Sequence, residues 1–462
     1  MAEKFENQGG FATSEPPALF RWAASKFVTR MASEASLQRR RRQVEKRRAR
    51  GNEPFRVEYF HQLDDGYSHL AAQLLAPMLE RYDVELRVHL VSEDVGPNLP
   101  EPDLLRALSR YDAAQVAPHY GLRFPAEGKP PGPEMLERAG GLLAAADDEA
   151  MPSLIDKVSE ALWSGDEGAL RSLAEEQAVS SPDQLKARIE QGNARRAALG
   201  HYSGAMFFFG GEWYWGADRF YHLENRLIEL GRSRDPSAPR LCPRPEIEVG
   251  PLKDDGSLTF EIYPSLRSPY TAVIFETALR LAESTGVRAV IRPVLPMVMR
   301  GVPATRQKGQ YIFKDAAREA RALGLDFGRF YDPIGEPVRR GYSLYPWAAE
   351  QGRGADLLSS FLRRAFYEGV NTNTDRGLRQ VVEQAGLTWD EAQARVGRPG
   401  WEEELEQNRL TMYAFGSWGV PSFRLLDARG EPVLALWGQD RLWLFARELQ
   451  RLLRSAQPEG RD

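Results

Sequence analysis

Hydrophobic and polar residues follow an order that repeats in the two halves of the chain. In the second half, residues 258–263 alternate as in a strand, and apolar residues then recur at helical spacing over 269–285 until Gly286. A second strand pattern follows at 287–294, so the order strand, helix, strand predicts a parallel βαβ unit. The corresponding strands of the first half are predicted at 55–60 and 84–91.

A long helical stretch follows each βαβ unit, and each half then closes with a two-stranded hairpin and an amphipathic helix. The hairpin strands are predicted at 206–209, 212–215, 422–426 and 433–437, and the closing helices at 219–230 and 441–454. This order predicts an α/β fold in which a thioredoxin-like core is interrupted by an inserted helical subdomain.

Matching residues recur at one constant distance, which indicates an internal duplication. The distance of 203 positions separates Tyr67 from Tyr270, Asp112-Ala113-Ala114 from Asp315-Ala316-Ala317, and Gly121-Leu122 from Gly324-Leu325. A constant distance at three separate points predicts two tandem thioredoxin-like domains.

The 462 residues divide into five predicted parts. They are a basic helical arm (1–54), a first thioredoxin-like domain (55–230), a proline-rich linker (231–256), a second thioredoxin-like domain (257–455) and a tail (456–462). The length favours more than one domain, since a single domain usually holds about 100–200 residues. Hydrophobic residues make up 42% of the chain, which is enough to form a sizeable core.

Positive charge is concentrated in the arm. Residues 21–50 hold eleven Lys or Arg against two Glu, although the net charge of the whole chain is −4. Phe20, Trp22, Phe27 and Met31 recur at roughly helical spacing, which predicts an amphipathic helix. Such an arm could bind RNA or an anionic surface. We favour packing on the acidic remainder of the same chain, or a solvated tail, because charge runs usually form solvated faces.

The chain contains a single cysteine, Cys242, which lies in the predicted linker. One cysteine cannot form an intramolecular disulfide, build a thiolate zinc cluster or perform dithiol exchange. The first 20 residues lack the apolar core of a secretory signal, and no apolar run is long enough to span a membrane. These features predict a cytoplasmic protein without a disulfide framework.

Four short motifs in the second half carry a resemblance to a known family. They are Ser268-Pro269-Tyr270, Lys308-Gly309-Gln310-Tyr311 with Asp315, Gly419-Val420-Pro421-Ser422-Phe423, and Trp437-Gly438-Gln439-Asp440-Arg441. In this order and spacing they resemble the DsbA-like thioredoxin family, and within it the kappa-class glutathione transferases and 2-hydroxychromene-2-carboxylate isomerases. The first half resembles this family more faintly. The resemblance implies two tandem DsbA-type domains, each with an inserted helical subdomain.

Ser268 is the predicted catalytic residue. Serine followed by proline is a good start for a helix, and a helix N-terminus favours a bound anion. The resemblance implies that this anion is the thiolate of glutathione, to which the Ser268 hydroxyl donates a hydrogen bond. Ordinary capping of the helix is the alternative role for Ser268.

The resemblance also implies the residues that bind the rest of glutathione. Pro421 is expected to be a cis proline, so that the backbone of Val420 pairs with the cysteinyl part of the tripeptide; a trans proline at a strand start is the alternative. Asp440, helped by the Gln439 backbone, would bind the amino end of glutathione. Apart from the resemblance, an apolar substrate pocket could be lined by Tyr270 and Trp418, and core packing is the default assignment of Trp418.

The sequence departs from the family at several positions. Ser265 stands where an aspartate is common, and residues 299–307 contain no asparagine for glutathione, although Arg300 and Arg306 could reach a carboxylate. In the first half the corresponding residues are Asp65 for the serine, Gly66 for the next proline and Ala205 for the cis proline. The first domain is therefore predicted to be non-catalytic, because Asp65 would repel a thiolate.

Two functions remain open from the sequence. The first is a cytoplasmic, glutathione-dependent isomerase or transferase that acts on a hydrophobic or aromatic small molecule. The alternative is a catalytically silent tandem DsbA-like protein that binds a peptide or a protein partner. No metal is expected, because the six histidines all lie in the first half and show no known metal-ligand spacing. The chain could form a homodimer, and nucleic acid binding is expected at most from the arm.

Overall fold

The computed structural model describes residues 15–125, 129–302 and 304–456. The chain forms an N-terminal unit, Gln38–Pro245, and a C-terminal unit that combines Met1–Leu37 with Glu246–Asp462. Residues 1–14 of the predicted arm and 457–462 of the predicted tail lie outside the described residues. None of the helices in the described ranges combines the length and the apolarity that crossing a membrane requires.

The described part of the predicted arm is helical. It forms helix α1, Ala18–Ala32, and helix α2, Glu34–Gly51. Arg41 of α2 makes a bidentate hydrogen bond with Glu212 of the N-terminal unit, at 2.6 and 3.1 Å. At least this part of the basic segment therefore pairs with acidic residues of its own chain.

The N-terminal unit contains a four-stranded mixed sheet in the order β2-β1-β3-β4. The strands are β1 Arg56–His61, β2 Glu85–Leu90, β3 Met206–Phe209 and β4 Glu212–Trp215. The helices are α3 Gly66–Ala72, α4 Leu75–Arg81, α5 Pro102–Val116, α6 Pro133–Ala145, α7 Met151–Ser164, α8 Glu167–Glu176, α9 Pro182–Ala198 and α10 Phe220–Glu229. β1 is parallel to β2 and antiparallel to β3, as the predicted strand order requires.

The sheet of the N-terminal unit is closed by a tight hairpin and buried by aromatic side chains. Gly210 and Gly211 both have positive φ, which a two-residue turn between right-twisted strands requires. Tyr59 of β1 stacks on Phe207 of β3 with ring centroids 4.7 Å apart, and both side chains are fully buried. The strand pattern read from the sequence thus places its apolar residues in this core.

The C-terminal unit contains a second four-stranded sheet, in the order β6-β5-β7-β8. The strands are β5 Thr259–Tyr263, β6 Arg288–Ile291, β7 Ser422–Leu426 and β8 Pro432–Trp437. The helices after α10 are α11 Pro269–Thr285, α12 Arg306–Ala322, α13 Glu336–Ser343, α14 Tyr345–Glu350, α15 Gly354–Arg363, α16 Asp375–Gln384, α17 Trp389–Gln393, α18 Trp401–Ala414 and α19 Leu442–Ala456. β6 is shorter than the predicted strand 287–294. Beyond its end, the N–H groups of Arg292 and Val294 still donate to the Ile262 and Pro264 carbonyls, at 2.8 and 2.9 Å.

The predicted linker 231–256 contains no helix or strand, but its first part packs on the N-terminal unit. Ser233 forms a β-bridge with Tyr82, and the Arg234 N–H donates to the Arg81 carbonyl at 2.9 Å. Cys242 is fully buried, and burial raises the pKa of its thiol. Cys242 is therefore a small core residue with little thiolate character.

Candidate functional site

Ser268 begins helix α11 by capping its N-terminus. Its backbone is extended, and its Oγ accepts a hydrogen bond from the Thr271 N–H at 3.1 Å. Pro269 occupies the first helical position, where a missing N–H group costs nothing. The remaining free N–H groups of this first turn give the end of α11 partial positive charge, which favours an anion.

The same hydroxyl contacts the loop that precedes β7. Ser268 Oγ donates a hydrogen bond to the Val420 carbonyl at 3.2 Å. The Val420–Pro421 peptide is cis, which confirms the sequence prediction. The structure therefore brings together three predicted site residues: Ser268, Val420 and Pro421.

The loop around Pro421 is held by its own backbone and by two tryptophans. The Gly438 N–H donates to the Pro421 carbonyl at 3.0 Å, and Ser422 Oγ donates to the Gly419 carbonyl at 2.8 Å. A Cβ atom at Gly419 would come within 2.4 Å of the Trp437 indole, so the backbone packs directly on that ring. Trp418 packs on Trp437 with centroids 4.6 Å apart and is 3% exposed. The Trp418 side chain is thus part of the core beneath this loop.

Arg300 contacts backbone carbonyls beside the same loop. Its Nη2 donates to the Trp418 carbonyl at 3.3 Å, and its Nε donates to the Leu295 carbonyl at 3.0 Å. Burial lowers the pKa of Arg300. Nη1 is buried without a hydrogen-bond partner in the described part of the chain. Two of the five N–H donors that the sequence suggested for a carboxylate are therefore used within the protein.

Tyr270 contacts Asp315, the aspartate of the Lys308 motif, in the middle of α12. The Tyr270 hydroxyl donates to Asp315 Oδ2 at 2.8 Å, and Arg318 donates to the other oxygen of that carboxylate at 2.5 Å. Burial lowers the pKa of Lys308 to about 8. Tyr270 therefore has a structural contact with the inserted helices in addition to any contact with a substrate.

Gln439 and Asp440 lie at the start of the last helical segment. Gln439 is buried, and its Nε2 donates to Glu319 Oε2 at 3.1 Å. Its Oε1 has no hydrogen-bond partner among the residues described. The Asp440 carboxylate lies 3.6 Å from Arg441 Nη1, and the Asp440 carbonyl accepts from Trp443 Nε1 at 2.8 Å. Asp440 thus already has a cation beside it.

Other residues of the site region could not be identified from the sequence. Arg267, next to Ser268, forms a bidentate hydrogen bond with Asp332 at 2.8 and 2.9 Å. The Tyr342 hydroxyl accepts from the Leu266 N–H at 3.1 Å and so fixes the turn before Ser268. Both contacts join residues that are far apart in the chain, and no local sequence pattern predicts them. Ser265, which replaces the common aspartate, is buried in this turn.

The turn between β1 and α3 of the N-terminal unit also carries a helix cap, but its capping side chain and the loop before β3 differ from those near Ser268. Asp65 caps α3 and accepts hydrogen bonds from the N–H groups of Tyr67 and Ser68, at 3.3 and 3.0 Å. Burial raises the pKa of Asp65 to about 6. Ala205, at the position of Pro421, has a positive φ of 53°, and its carbonyl accepts from the Gly216 N–H at 2.7 Å.

A cleft of the N-terminal unit opens beside Asp65. Its lining includes Asp64, Asp65, Glu93, Asp94, Arg106 and Trp215. The carboxylates outnumber the single cation, which disfavours a thiolate at this position. Within the described ranges, no group of three or more His, Cys, Asp or Glu side chains is arranged to hold a metal ion.

Comparison with known proteins identifies the C-terminal half. Residues 259–450 match the family model of the DSBA-like thioredoxin domain. The C-terminal half of the chain therefore contains a DsbA-like thioredoxin domain. No functionally curated protein is significantly similar to this sequence.

Several solved structures are similar to part of the chain. A "probable DsbA oxidoreductase" from Streptomyces coelicolor is 23% identical over 44% of this chain and 93% of its own, with a TM-score of 0.34. A 2-hydroxychromene-2-carboxylate isomerase is 19% identical over 43% of this chain and 97% of its own, with a TM-score of 0.36. The oxidoreductase NmDsbA1 from N. meningitidis is 12% identical over 44% of this chain and 88% of its own, with a TM-score of 0.26.

Proposed function

We propose that the DsbA-like thioredoxin domain of residues 259–450 is a glutathione-dependent isomerase or transferase for a hydrophobic, aromatic small molecule. The observation that supports this most directly is the contact between Ser268 Oγ and the Val420 carbonyl at 3.2 Å. It joins a hydroxyl, the N-terminus of the 17-residue helix α11 and the backbone of Val420 at one point. A thiolate and a peptide-like ligand need these three kinds of group together.

Ser268 would act as the donor to sulfur. Its single hydroxyl proton is now given to the Val420 carbonyl, and rotation of the hydroxyl about the Cβ–Oγ bond would redirect the proton toward a thiolate above the helix N-terminus. The exchange replaces a bond between neutral groups by a charge-assisted bond, which is the stronger kind. Preferential hydrogen bonding to the charged form lowers the pKa of a thiol. The only cysteine of the chain is buried in the other unit, so the sulfur must come from the ligand.

The remaining residues would hold the tripeptide. Bound glutathione would supply a nucleophilic sulfur that adds to an activated double bond of the substrate and leaves after rotation or rearrangement. The Val420 N–H and carbonyl would pair with the cysteinyl backbone. Asp440 and the buried, unsatisfied Gln439 Oε1 are acceptors that suit the amino group at the other end. Tyr270 would form part of the apolar wall for the substrate, whereas the buried Trp418 supports the loop from beneath.

Calorimetric titration with glutathione tests this proposal. We expect wild-type protein to bind glutathione at millimolar concentration or below, and the thiol pKa of the bound ligand to fall, as followed by thiolate absorbance. Ser268→Ala should raise that pKa by about 1–2 units, because a hydrogen bond to a charged group contributes about 1.5–3 kcal/mol.

A matched control separates this effect from the loss of a helix cap. Thr374 caps α16 of the same unit and accepts from the Gly377 N–H at 3.1 Å. Thr374→Ala should lower stability to a similar extent, by about 1 kcal/mol, and leave the thiol pKa unchanged. Absence of any heat of binding at millimolar glutathione would exclude the proposal.

A second candidate is a catalytically silent protein that binds a peptide or a partner through the same loop. Two observations favour it: the Ser268 hydroxyl already has a protein acceptor, and Arg300 gives two donors to backbone carbonyls. In that case the Val420 backbone would pair with an extended peptide, and glutathione would neither bind nor change its pKa. The titration above therefore distinguishes the two functions.

We also propose that the chain arose by tandem duplication, so that residues 55–230 and 257–455 are related domains joined by the linker 231–256. The two sheets have the same strand order. The Tyr67 hydroxyl donates to Asp112 at 2.9 Å, and the Tyr270 hydroxyl donates to Asp315 at 2.8 Å, which repeats one contact at a shift of 203 residues. Asp65 and Ala205 would then mark the first domain as a non-catalytic partner.

We place this function in the cytoplasm. The glutathione that the proposal requires is abundant and reduced there, and the single cysteine is buried and unpaired. Fractionation of cells that express the tagged protein tests the assignment.

A further inference from the structure

Helix α1 attaches to its own unit through its polar residues and turns its apolar residues outward. This is the reverse of the usual arrangement, in which the apolar stripe of a surface helix faces the core. Arg21 and Ser25 are 2% and 1% exposed, whereas Leu19, Trp22 and Phe27 are 76%, 50% and 60% exposed. An orientation of this kind requires polar contacts that hold the inner face of the helix. Its outer face then presents apolar side chains to a binding partner.

The inner face is a stripe of three polar residues, four positions apart, that bond to the backbone of residues 330–334. Arg21 Nη1 donates to the Asp332 and Ile334 carbonyls at 2.9 and 2.5 Å. Ser25 Oγ accepts from the Asp332 N–H at 3.0 Å. Thr29 Oγ1 accepts from the Phe330 N–H at 3.0 Å. These specific bonds fix the rotation of α1 about its axis, so the outward position of its apolar residues is built into the fold.

The outer face concentrates apolar surface. Nine large hydrophobic residues are exposed in the described part of the chain, and four of them lie on α1. These four are Leu19, Phe20, Trp22 and Phe27. Isolated exposed apolar residues are ordinary, but a cluster on one helix marks a binding surface.

The outer face is also positively charged. Lys26 and Arg30 are exposed and follow Leu19 and Trp22 at steps of three and four residues, so all four lie on one side of the helix. Residues 18–33 contain no Asp or Glu. A second copy of this chain seated on the same face would place Lys26 and Arg30 against their own counterparts. The charge therefore disfavours self-association and favours an anionic partner.

We propose that the outer face of α1 docks on the surface of a lipid bilayer that contains anionic phospholipids. Trp, Phe and Leu side chains beside Lys and Arg are the composition of helices that lie in the headgroup region. Leu19 and Phe27 project far enough to insert between headgroups, while Lys26 and Arg30 can extend to lipid phosphates. This proposal does not depend on the proposed glutathione chemistry.

Flotation of the full chain with vesicles tests the proposal. We expect binding to phosphatidylcholine vesicles that contain one third phosphatidylglycerol, and little binding to phosphatidylcholine alone. Replacing both cations, by Lys26→Gln with Arg30→Gln, should lower the partition coefficient about 30-fold. Replacing two apolar residues, by Leu19→Ser with Phe27→Ser, should lower it at least about tenfold.

Matched variants control for general changes of charge and hydrophobicity. Lys157 and Lys186 are exposed on helices α7 and α9, and Val179 and Val433 are exposed apolar residues elsewhere. Lys157→Gln with Lys186→Gln, and Val179→Ser with Val433→Ser, should change vesicle binding less than twofold. All variants should keep the wild-type circular dichroism spectrum.

Three outcomes would overturn the proposal. The first is absence of binding to anionic vesicles, and the second is binding that the α1 variants leave unchanged. The third is a dimer in light scattering that the Leu19→Ser, Phe27→Ser pair dissociates while vesicles are not bound, which would assign the face to a second copy.

Discussion

At the scale of single residues, the helix that follows the first strand of each sheet is capped by a side chain of different charge. Ser268 caps α11 with a neutral hydroxyl, whereas Asp65 caps α3 with a carboxylate whose pKa burial raises to about 6. A carboxylate with a raised pKa binds protons more tightly in the folded protein than in the unfolded chain. Asp65 therefore contributes stability that is fully present below its ordinary pKa of 3.8 and is lost as the pH rises through 6.

Asp65→Asn should remove this cost of ionisation while keeping a side-chain oxygen for the cap. We expect it to raise the free energy of unfolding by about 1–2 kcal/mol at pH 8 and to have little effect at pH 4. Urea denaturation at the two pH values measures the difference. Asp166→Asn is the control, because Asp166 also caps a helix but is exposed. An equal effect of both substitutions, or none at pH 8, would show that burial of Asp65 is not the cause.

Much of the candidate site could be predicted from residue types, because its anchors follow local rules. Serine before proline predicts a capped helix start, and Ser268 caps α11. The contacts that complete the site are long-range and leave no local signal. Arginine is a residue type that often binds carboxylates. Nη2 of Arg300 nevertheless donates to the carbonyl of Trp418, 118 residues further along the chain. The sequence cannot show which of its many carbonyls a buried arginine will reach.

At the scale of elements, the sequence pattern predicted the strands of both sheets and the helices at 219–230, 269–285 and 441–454, but it gave the inserted helices no individual bounds. A proline accounts for one further difference. The first helix of the N-terminal unit is interrupted between α3 and α4. Pro77 lies in the first turn of α4, where its ring cannot follow a continuous helix and gives no N–H to Gln73. This signal is present in the sequence but is weaker than the apolar pattern around it.

Two helical glycines show what periodicity cannot reveal. A Cβ atom at Gly192 of α9 would lie 1.9 Å from the Leu90 carbonyl oxygen, so α9 packs directly on the backbone of β2. A Cβ atom at Gly309 of α12 would meet nothing within 4 Å. Gly192→Ala should therefore destabilise the protein by at least about 2 kcal/mol. Gly309→Ala should stabilise it by about 0.5–1 kcal/mol, since alanine favours helix.

Chemical denaturation of the two glycine variants checks these signs, with far-UV circular dichroism as the probe. Each variant serves as the control for the other, because the substitution is identical and only the surroundings differ. Stabilisation by Gly192→Ala would mean that α9 does not approach β2 as closely as the structure shows.

At the scale of the whole molecule, the C-terminal unit is built from two stretches of chain that are far apart in sequence. Residues 1–37 precede the entire N-terminal unit, yet α1 bonds to the backbone at Phe330 and Asp332. A helical pattern predicts that α1 forms, but it does not tell which of its faces is inside. Here the hydrogen bonds between side chains of α1 and the backbone of residues 330–334 hold the polar face of the helix inside, while Leu19 and Trp22 remain exposed.

Ser25 provides the sharpest test of this attachment. Its Oγ accepts from the Asp332 N–H and is 1% exposed, so Ser25→Ala leaves that N–H without its acceptor. We expect a loss of about 1–2 kcal/mol in stability of the C-terminal unit, because an unsatisfied buried donor keeps its full desolvation penalty.

Hydrogen exchange at residues 330–334 should accelerate in the Ser25→Ala variant, whereas exchange in β1 and β3 should not change. Ser153→Ala removes an exposed serine hydroxyl of α7 that donates to the Ala150 carbonyl, and it should affect neither region. If Ser25→Ala left the exchange at Asp332 unchanged, the polar stripe would not be what orients α1, and its apolar residues would need another reason to face outward.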